Sequence, residues 1–483
     1  MYQRSELFID GEWTAPGGGQ VPLISPHTEA PIGTAPRADR NDVDRAVRAA
    51  RAAFDTGPWP WMPPAERLAV IERFAALYKQ RRAEMAELIS AEVGAPISFA
   101  RQAQVGVATF ALSALRRLAA DYEWTEHRQG FYGQEITVAK LPAGVIAAIV
   151  PWNMPQFLTI VKTIPALLAG CTVVLKPAPE TPLDALLFAE LAAEAGLPAG
   201  VLNVIPGDGA VGAHLVAHPG VDKVSFTGST ASGRAVARAC AERLTPASLE
   251  LGGKSAAVIL DDADPARVAA GICQASLANS GQVCNALTRV LVPEGRAQHY
   301  IDGLAAALGD LTVGDPADPA TRIGPLVAQR QQVKVRDYIE DGLRQGAKLV
   351  VGGPDLPPGI DRGWYIRPTL FTEVDNSMRI AREEIFGPVL TVLTYRDEDE
   401  AVAVANDSEY GLAGAVFTSD PDRGLAVAAR VRTGSFGINE GYIMDPLAPY
   451  GGVKASGYGR ELGKEGLEGY LVSQSISRAA EPA

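Results

Sequence analysis

The chain has 483 residues, a formal charge of −12 and 47% apolar residues. That is long enough for two or three α/β units, and apolar enough to bury their cores. Its Lys and Arg residues are scattered without a run, which argues against a nucleic-acid or anionic-membrane partner, since either needs a basic stripe.

The N-terminus has no apolar stretch after a basic start, and no apolar run approaches the roughly 18 residues of a membrane span. Cys171, Cys240, Cys273 and Cys284 are too few for a disulfide scaffold in so long a chain, and no Cys-x-x-Cys pair suggests a metal. The expected location is a reducing cytoplasm.

Along the first 120 or so residues the pattern is mainly helical. Asn41-Asp42 opens an Ala/Arg-rich helix, and Pro63-Pro64 followed by Glu66 opens a longer one, with proline where a helix start tolerates it. Residues 123–141 fit neither this pattern nor the next. The run 135–141 alternates like an exposed strand, which needs a pairing partner, and another subunit is a candidate.

From Gly144 short β-rich runs (145–150, 172–175, 201–205, 224–226 and 248–251) alternate with helical stretches. This predicts a parallel sheet with helices on its faces and ligands at the carboxyl ends of its strands. A second alternation starts with a strand at 256–260. Asp264-Pro265 then opens a helix to about residue 277, and further strands follow at 288–292, 389–395, 415–418 and 434–438.

Two motifs mislead when read alone. Gly207-Asp-Gly-Ala-Val-Gly212 matches G-x-G-x-x-G after a strand, but the next strand ends Ser225-Phe226-Thr227, without the acid that would hold a ribose. A tight strand-to-helix turn accounts for it. His214 and His218 share a helix face but lack the glutamate of a zinc-protease helix, so a structural or surface pair is expected.

The residues suited to chemistry lie where strands and helices meet. Cys284 follows a helix in Asn279-Ser-Gly-Gln-Val-Cys-Asn285. A lone cysteine is usually a small buried hydrophobe, yet this one sits in a polar, Gly-containing loop, and a thiolate suits acyl transfer. Glu250 ends a strand in Leu249-Glu-Leu-Gly-Gly-Lys254, where paired glycines allow close approach to a ligand. Asn153, in Pro151-Trp-Asn-Met-Pro155, could donate to an oxyanion together with the Cys284 N–H. Gly228 and Ser229 carry a strand into a helix whose N-terminus suits a pyrophosphate, and Lys176 ends the strand before Pro-Ala-Pro-Glu180, within reach of a ribose hydroxyl.

Taken in order, these segments closely resemble the aldehyde dehydrogenase superfamily over nearly the whole chain. The match runs from Phe8-Ile-Asp-Gly-Glu-Trp13 through P-W-N-M-P, K-P-A-P-E-T-P, F-T-G-S-T, L-E-L-G-G-K and G-Q-V-C. It continues through Glu383-Glu-Ile-Phe-Gly-Pro388 to Gly451-Gly-Val-Lys-Ala-Ser-Gly-Tyr-Gly-Arg-Glu-Leu-Gly463. The resemblance implies an α/β fold with two parallel-sheet domains and a small β oligomerisation arm. Residues 1–121 and 143–252 would form a Rossmann-like cofactor domain, 253–452 the catalytic domain, and 122–142 with 453–483 the bridging arm of a homodimer or homotetramer.

The same resemblance implies NAD(P)-dependent oxidation of an aldehyde. Cys284 would form a thiohemiacetal and then a thioester, Asn153 would stabilise the oxyanion, and Glu250 would activate the hydrolytic water. Glu461 would be an auxiliary base or proton relay. Glu384 would bind the nicotinamide ribose, Phe386 would pack beside it, and Ser229 would meet the pyrophosphate. Ile149, Val150, Pro151, Trp152, Lys176 and Glu180 would surround the cofactor from two strand ends, and Gly207, Phe226, Gly228, Gly233 and Leu251 from the other side. Met154, Phe157 and Val161 would line the aldehyde tunnel, Val283 and Asn285 would flank the nucleophile, and Tyr442 to Tyr450 would form the far wall.

One position departs from the family pattern. NAD-preferring members carry a glutamate three residues after the lysine; here Pro179 stands there and Glu180 follows. Losing that carboxylate removes repulsion against NADP, yet no added Arg or Lys stands beside it in sequence. NAD is therefore the favoured cofactor, with NADP not excluded. The apolar tunnel, without an arginine for a carboxylated substrate, points to a medium aliphatic or aromatic aldehyde. Two alternatives stay open: a CoA-acylating semialdehyde dehydrogenase, which generally lacks the glutamate seen here as Glu250, and a catalytically silent structural or binding relative.

Overall fold

The computed structural model describes residues 2–479; Met1 and residues 480–483, at the ends of the expected cofactor and arm segments, lie outside the described residues. The two runs of strand–helix alternation become two sheets. The first is ordered Gly457–Tyr458, Ala247–Glu250, Lys223–Thr227, Val145–Ile149, Thr172–Lys176, Leu202–Val204, Leu7–Ile9 and Glu12–Thr14. Its five inner strands are parallel and its edges antiparallel.

Every residue of Val145–Ile149 and Thr172–Lys176 is buried, as expected for strands covered by helices on both faces. Their period of two sorts the side chains. Val145, Ala147 and Val174 pack with Val43, Val47, Leu215 and Val236 on one side. Ile146, Ala148, Val173 and Leu175 join Phe74, Ile160, Leu186 and Phe188 on the other. The chain starts this parallel core at Val145–Ile149, builds outward in one direction, then returns to add Lys223–Thr227 on the opposite flank. The crevice at that reversal is where such sheets bind ligands.

The second sheet is ordered Lys348–Val351, Thr369–Thr372, Val389–Tyr395, Arg289–Pro293, Ala256–Ile259, Ala413–Phe417 and Ser435–Ile438. It is parallel except at its first pair. Lys348–Val351 and Thr369–Thr372 have no counterpart among the predicted strands.

The second helix start is as read, with Pro64 opening Pro64–Gln80; the first lies slightly earlier than Asn41-Asp42, because Asp39 and Asp42 form a capping box for Arg40–Asp55. The helical reading of the first segment misses four strands before residue 40. Leu7–Ile9 and Glu12–Thr14 turn through Asp10-Gly11, both at positive φ (55° and 77°), the Asp-Gly hairpin signature. Gln20–Ile24 and Pro31–Pro36 make a second hairpin.

The arm differs from expectation in one respect. Its two segments find each other within the chain: Leu471–Arg478 pairs along its length with Glu135–Pro142, which also pairs with Thr125–Gln129. Residues 453–470 lie outside this arm sheet; Gly457–Tyr458 closes the edge of the first sheet beside Ala247–Glu250. No described helix is long and apolar enough to cross a membrane.

Candidate active site

The loops leaving the strands of the first sheet face the start of the second unit across one cavity of about 930 Å³. Cys284, Glu250, Asn153 and Glu461 all line it.

Asn153 stands between Val145–Ile149 and the helix Pro155–Ala169, whose Pro155 occupies the first helical position. Its carbonyl accepts from Gln104 Nε2 and from Asn279 Nδ2, each at 2.9 Å. Its own Nδ2 donates to the Gln282 carbonyl at 3.0 Å. A primary amide has two N–H donors, and no described residue takes the second. Gln104 reaches this carbonyl from a π-helical turn, Ala100–Gln104, a distortion often found at functional sites.

Asn279, Ser280 and Gly281 are consecutive left-handed residues (φ 51°, 58° and 77°) that turn the chain toward Cys284. The turn is held by Ser280 Oγ donating to the Gly324 carbonyl at 2.9 Å and by Gln282 Nε2 donating to the Asn279 carbonyl at 3.0 Å. A Cβ at Gly281 would lie 2.3 Å from the Gly387 carbonyl carbon, so only glycine lets this loop press against the Glu384–Gly387 loop.

Cys284 is partly buried, and its Sγ lies 3.5 Å from the Tyr450 hydroxyl. Burial pushes its thiol up to about 12, with the carboxylates of Glu384 and Glu250 adding and the Tyr450 hydrogen bond opposing. Glu250 is 4% exposed, and neither carboxylate oxygen has a protein partner. Burial holds it well above the carboxylate range, and the neighbouring Glu461 adds to this. Glu461 is itself buried and bonded to Lys162 Nζ, which also donates to Ser225 Oγ at 3.3 Å. A buried pair of this kind must be satisfied at both ends.

The same cavity is lined by Pro151, Trp152, Gly228, Ser229, Leu251, Glu384 and Phe386. The Trp152 and Phe386 rings meet edge to face, 5.4 Å between centroids. Ser229 caps the helix Thr230–Glu242 by accepting from Ser232 N at 3.2 Å. Glu384 accepts from Gly253 N at 3.1 Å, and a Cβ at Gly252 would lie 2.3 Å from its Oε2. The paired glycines of L-E-L-G-G-K are what let it come so close.

The remaining cofactor candidates stand outside the cavity wall. Lys176 donates to the carbonyls of Pro177 at 2.8 Å and Gly207 at 2.5 Å, and burial lowers its ammonium to about 8 against the pull of Glu180 and Asp208. Gly207 itself is the tight turn expected of G-x-G-x-x-G, with Asp208 capping Gly209–Ala217. Ile149, Val150, Phe226 and Gly233 are buried behind the wall; a Cβ at Gly233 would strike Leu251 at 2.4 Å. His214 and His218 both turn to Asp44.

Glu180 corrects one expectation. No basic residue stands beside it in sequence, yet Arg330 forms an ion pair with its carboxylate, brought there by the helix Gln329–Arg344.

Met154, Phe157, Val283, Asn285, Tyr442 and Tyr450 line the aldehyde side. Val161 does not: it is 1% exposed in the helical core, because the helix turns that face away from the cavity. The wall also includes Ile443 and Met444, within the expected 442–450 stretch, Leu462 from the last motif, and Phe99, Val107 and Leu158, which no sequence motif marks. Tyr450 belongs beside the nucleophile as well as in the wall.

A family model described as "Aldehyde dehydrogenase family" matches residues 13–476. The chain belongs to this family. It is 46% identical to geranial dehydrogenase of Castellaniella defragrans, over 98% of both chains. It is 42% identical to 3-succinoylsemialdehyde-pyridine dehydrogenase of a Pseudomonas species, over 99% of both. Among solved structures, an aldehyde dehydrogenase of Mycobacterium tuberculosis complexed with NAD+ superposes with a TM-score of 0.96 at 46% identity, covering 98% of each chain. A cysteine-to-alanine mutant of aldehyde dehydrogenase C from Pseudomonas syringae, complexed with NAD+ and octanal, gives 0.95 at 43%, again covering 98% of each.

The protein is thus an NAD-dependent aldehyde dehydrogenase that oxidises an aldehyde to the carboxylic acid. Its cleft suits such a cofactor: an exposed helix N-terminus at Ser229, the Glu384 carboxylate, and the Thr227 hydroxyl, buried without a protein partner.

The Tyr450–Cys284 contact carries a test. Tyr450 is pushed well above its ordinary value by burial, so it remains a hydrogen-bond donor across the working pH range. Tyr450→Phe removes that donor and shifts the pH profile of Cys284 alkylation by iodoacetamide upward by about one unit, a hydrogen bond to a charged group being worth roughly 1.5–3 kcal/mol.

Proposed function

We propose that the enzyme oxidises apolar, unbranched to lightly branched aldehydes by the hydrolytic route, with Cys284 as nucleophile and Glu250 as the base for water. The observation that supports this most is Glu250: a buried carboxylate with raised proton affinity and no protein partner, lining the same cavity as Cys284. A general base works best when its pKa approaches the working pH.

In this reading Cys284 Sγ attacks the carbonyl carbon, and the oxyanion takes the second Asn153 N–H and the Cys284 backbone N–H. Ser229, Glu384 and Phe386, with Lys176 and Glu180 at the far ribose, would hold NAD, which would accept the hydride lost as the thiohemiacetal becomes the thioester. The thioester left on Cys284 is then attacked by water as Glu250 takes its proton, releasing the acid and the thiol. Glu461, paired with Lys162 behind Glu250, helps set that proton affinity. CoA acylation would not need this water base, so hydrolysis is favoured.

The division into a cofactor unit (1–121 and 143–252), a catalytic unit (253–452) and an arm (122–142 and 453–483) is part of the same proposal. We also infer a homodimer or tetramer. Leu471–Arg478 leaves an outer strand edge with half-exposed Val472 and Ile476, and the nearby hairpin presents Phe131 and Tyr132 at 95% and 87% exposure; such edges and apolar tips are normally covered. A cytoplasmic location fits four free thiols.

Cys284→Ser abolishes NADH formation while NAD binding persists, and Glu250→Gln slows steady-state turnover by at least about 100-fold while leaving a pre-steady-state burst of NADH. A burst-free Glu250→Gln enzyme would place that residue before hydride transfer. Relatives named for geranial and crystallised with octanal point to the substrate class. Across an n-alkanal series kcat/KM rises about two- to fourfold per methylene until the tunnel is filled, following about 0.8 kcal/mol for each buried methylene, and adding CoA gives no acyl-CoA.

Glu250 must be ionised to accept a proton, so activity falls as the pH drops through its raised value. Glu461→Gln removes the like charge and moves that acid limb of the kcat profile to lower pH; an unmoved limb would assign it to another group. Sedimentation at micromolar concentration gives a dimer or tetramer.

A further inference from the structure

The Glu180–Arg330 ion pair joins the two halves of the molecule across the cofactor cleft. Glu180 lies in the loop after Thr172–Lys176, the second strand of the parallel core. In doubly wound sheets, the group at the end of that strand reads the adenosine ribose: a carboxylate selects the free 2′-hydroxyl of NAD, and an arginine nearby accommodates the 2′-phosphate of NADP. Both are present here, and they are bonded to each other.

The charges around this corner are Lys176, Asp208, Glu180 and Arg330; burial lowers the Lys176 ammonium, and the carboxylates of Glu180 and Asp208 oppose that shift. Their formal sum is zero, and without Arg330 it would be −1. The Glu180 side chain is 16% exposed and that of Arg330 61%. The carboxylate is therefore fixed in the loop while the guanidinium arrives from outside. Arg330 also lines the main cavity beside Gln331 and Lys334. Gln331 Nε2 donates to the Phe386 carbonyl at 2.8 Å and Lys334 Nζ to the Glu384 carbonyl at 3.2 Å, so the first two turns of Gln329–Arg344 are anchored to the loop that carries Glu384 and Phe386.

We propose that Arg330 is a specificity-determining residue: by pairing with Glu180 it cancels the carboxylate charge at the 2′ position of the adenosine ribose, and the enzyme accepts NADP as well as NAD. This rests on the reading of Lys176 and Glu180 as the ribose corner. A phosphate of about two unit charges, roughly 6 Å from a net charge of one in a water-like dielectric, changes affinity by about tenfold.

The test is a charge series read by calorimetric titration with NAD+ and NADP+, which needs no aldehyde, and by steady-state kinetics with octanal. Wild-type enzyme binds NADP+ within about tenfold of NAD+. Arg330→Ala (net −1) weakens NADP+ relative to NAD+ by about tenfold, Glu180→Gln (net +1) strengthens it by about as much, and the double variant and Arg330→Lys return to the wild-type ratio. In the kinetics the change falls in KM for NADP rather than in kcat, because the 2′ position is remote from the reacting carbon.

A wild-type enzyme that binds NADP+ more than about 100-fold more weakly than NAD+ overturns the proposal. So does a series in which both cofactors shift together, which is what a purely structural ion pair would produce. If neither cofactor responds to any variant while octanal oxidation continues, the ribose corner lies elsewhere and the dehydrogenase reading stands. Loss of octanal oxidation with an intact charge series separates the opposite case.

Discussion

The catalytic geometry hangs on the backbone carbonyl of Asn153. It accepts amide donors from Gln104 on the helical side and Asn279 on the nucleophile loop, while the Asn153 side chain donates back to Gln282. All four side chains are buried, and an unmet buried hydrogen-bonding group costs about 1–3 kcal/mol. The loop that carries Cys284 is thereby tied to the loop leaving the first sheet. Without that tie, a nucleophile from one α/β unit and an oxyanion donor from the other would have no common reference point.

Burial serves chemistry as well as stability here. The Cys284 thiol and the Glu250 carboxyl are both shifted upward, first by desolvation. This favours a neutral thiol and a carboxyl with a strong hold on its proton. Charge then needs to appear only where a donor can meet it: at the sulfur beside Tyr450, at an oxyanion beside Asn153, and at Glu250, whose charge is felt by Lys162. The Lys162–Glu461 pair follows the same logic, since one buried ion would be costly alone and two satisfied ones are tolerated.

Close backbone approach is the other constraint. Gly281 against Gly387 and Gly252 against Glu384 leave no room for a Cβ; the first contact sets the Glu384–Gly387 loop against the nucleophile loop, and the second sets it against the loop leaving the first sheet. The glycines flanking Cys284 and Glu250 in sequence are thus steric requirements of one junction, where the cofactor and nucleophile surfaces meet.

The sequence by itself determined the local parts: both strand–helix alternations, the helix starts near Asn41-Asp42 and at Pro64, the motifs that carry the family resemblance, and the positions of Cys284, Glu250 and Asn153 at loops and strand ends. These were legible because periodicity, capping and glycine placement act over a few residues. The Asp10-Gly11 hairpin was equally local, and a two-residue turn signal was there to find it. Tertiary structure alone decided the pairings between distant segments: Arg330 with Glu180, Lys162 with Glu461, Tyr450 with Cys284, the arm strand Leu471–Arg478 with Glu135–Pro142, and the exclusion of Val161 from the tunnel. Each depends on how one helix or strand is rotated and set against another, and that orientation is fixed by the packing of whole faces, which no short window of residues contains.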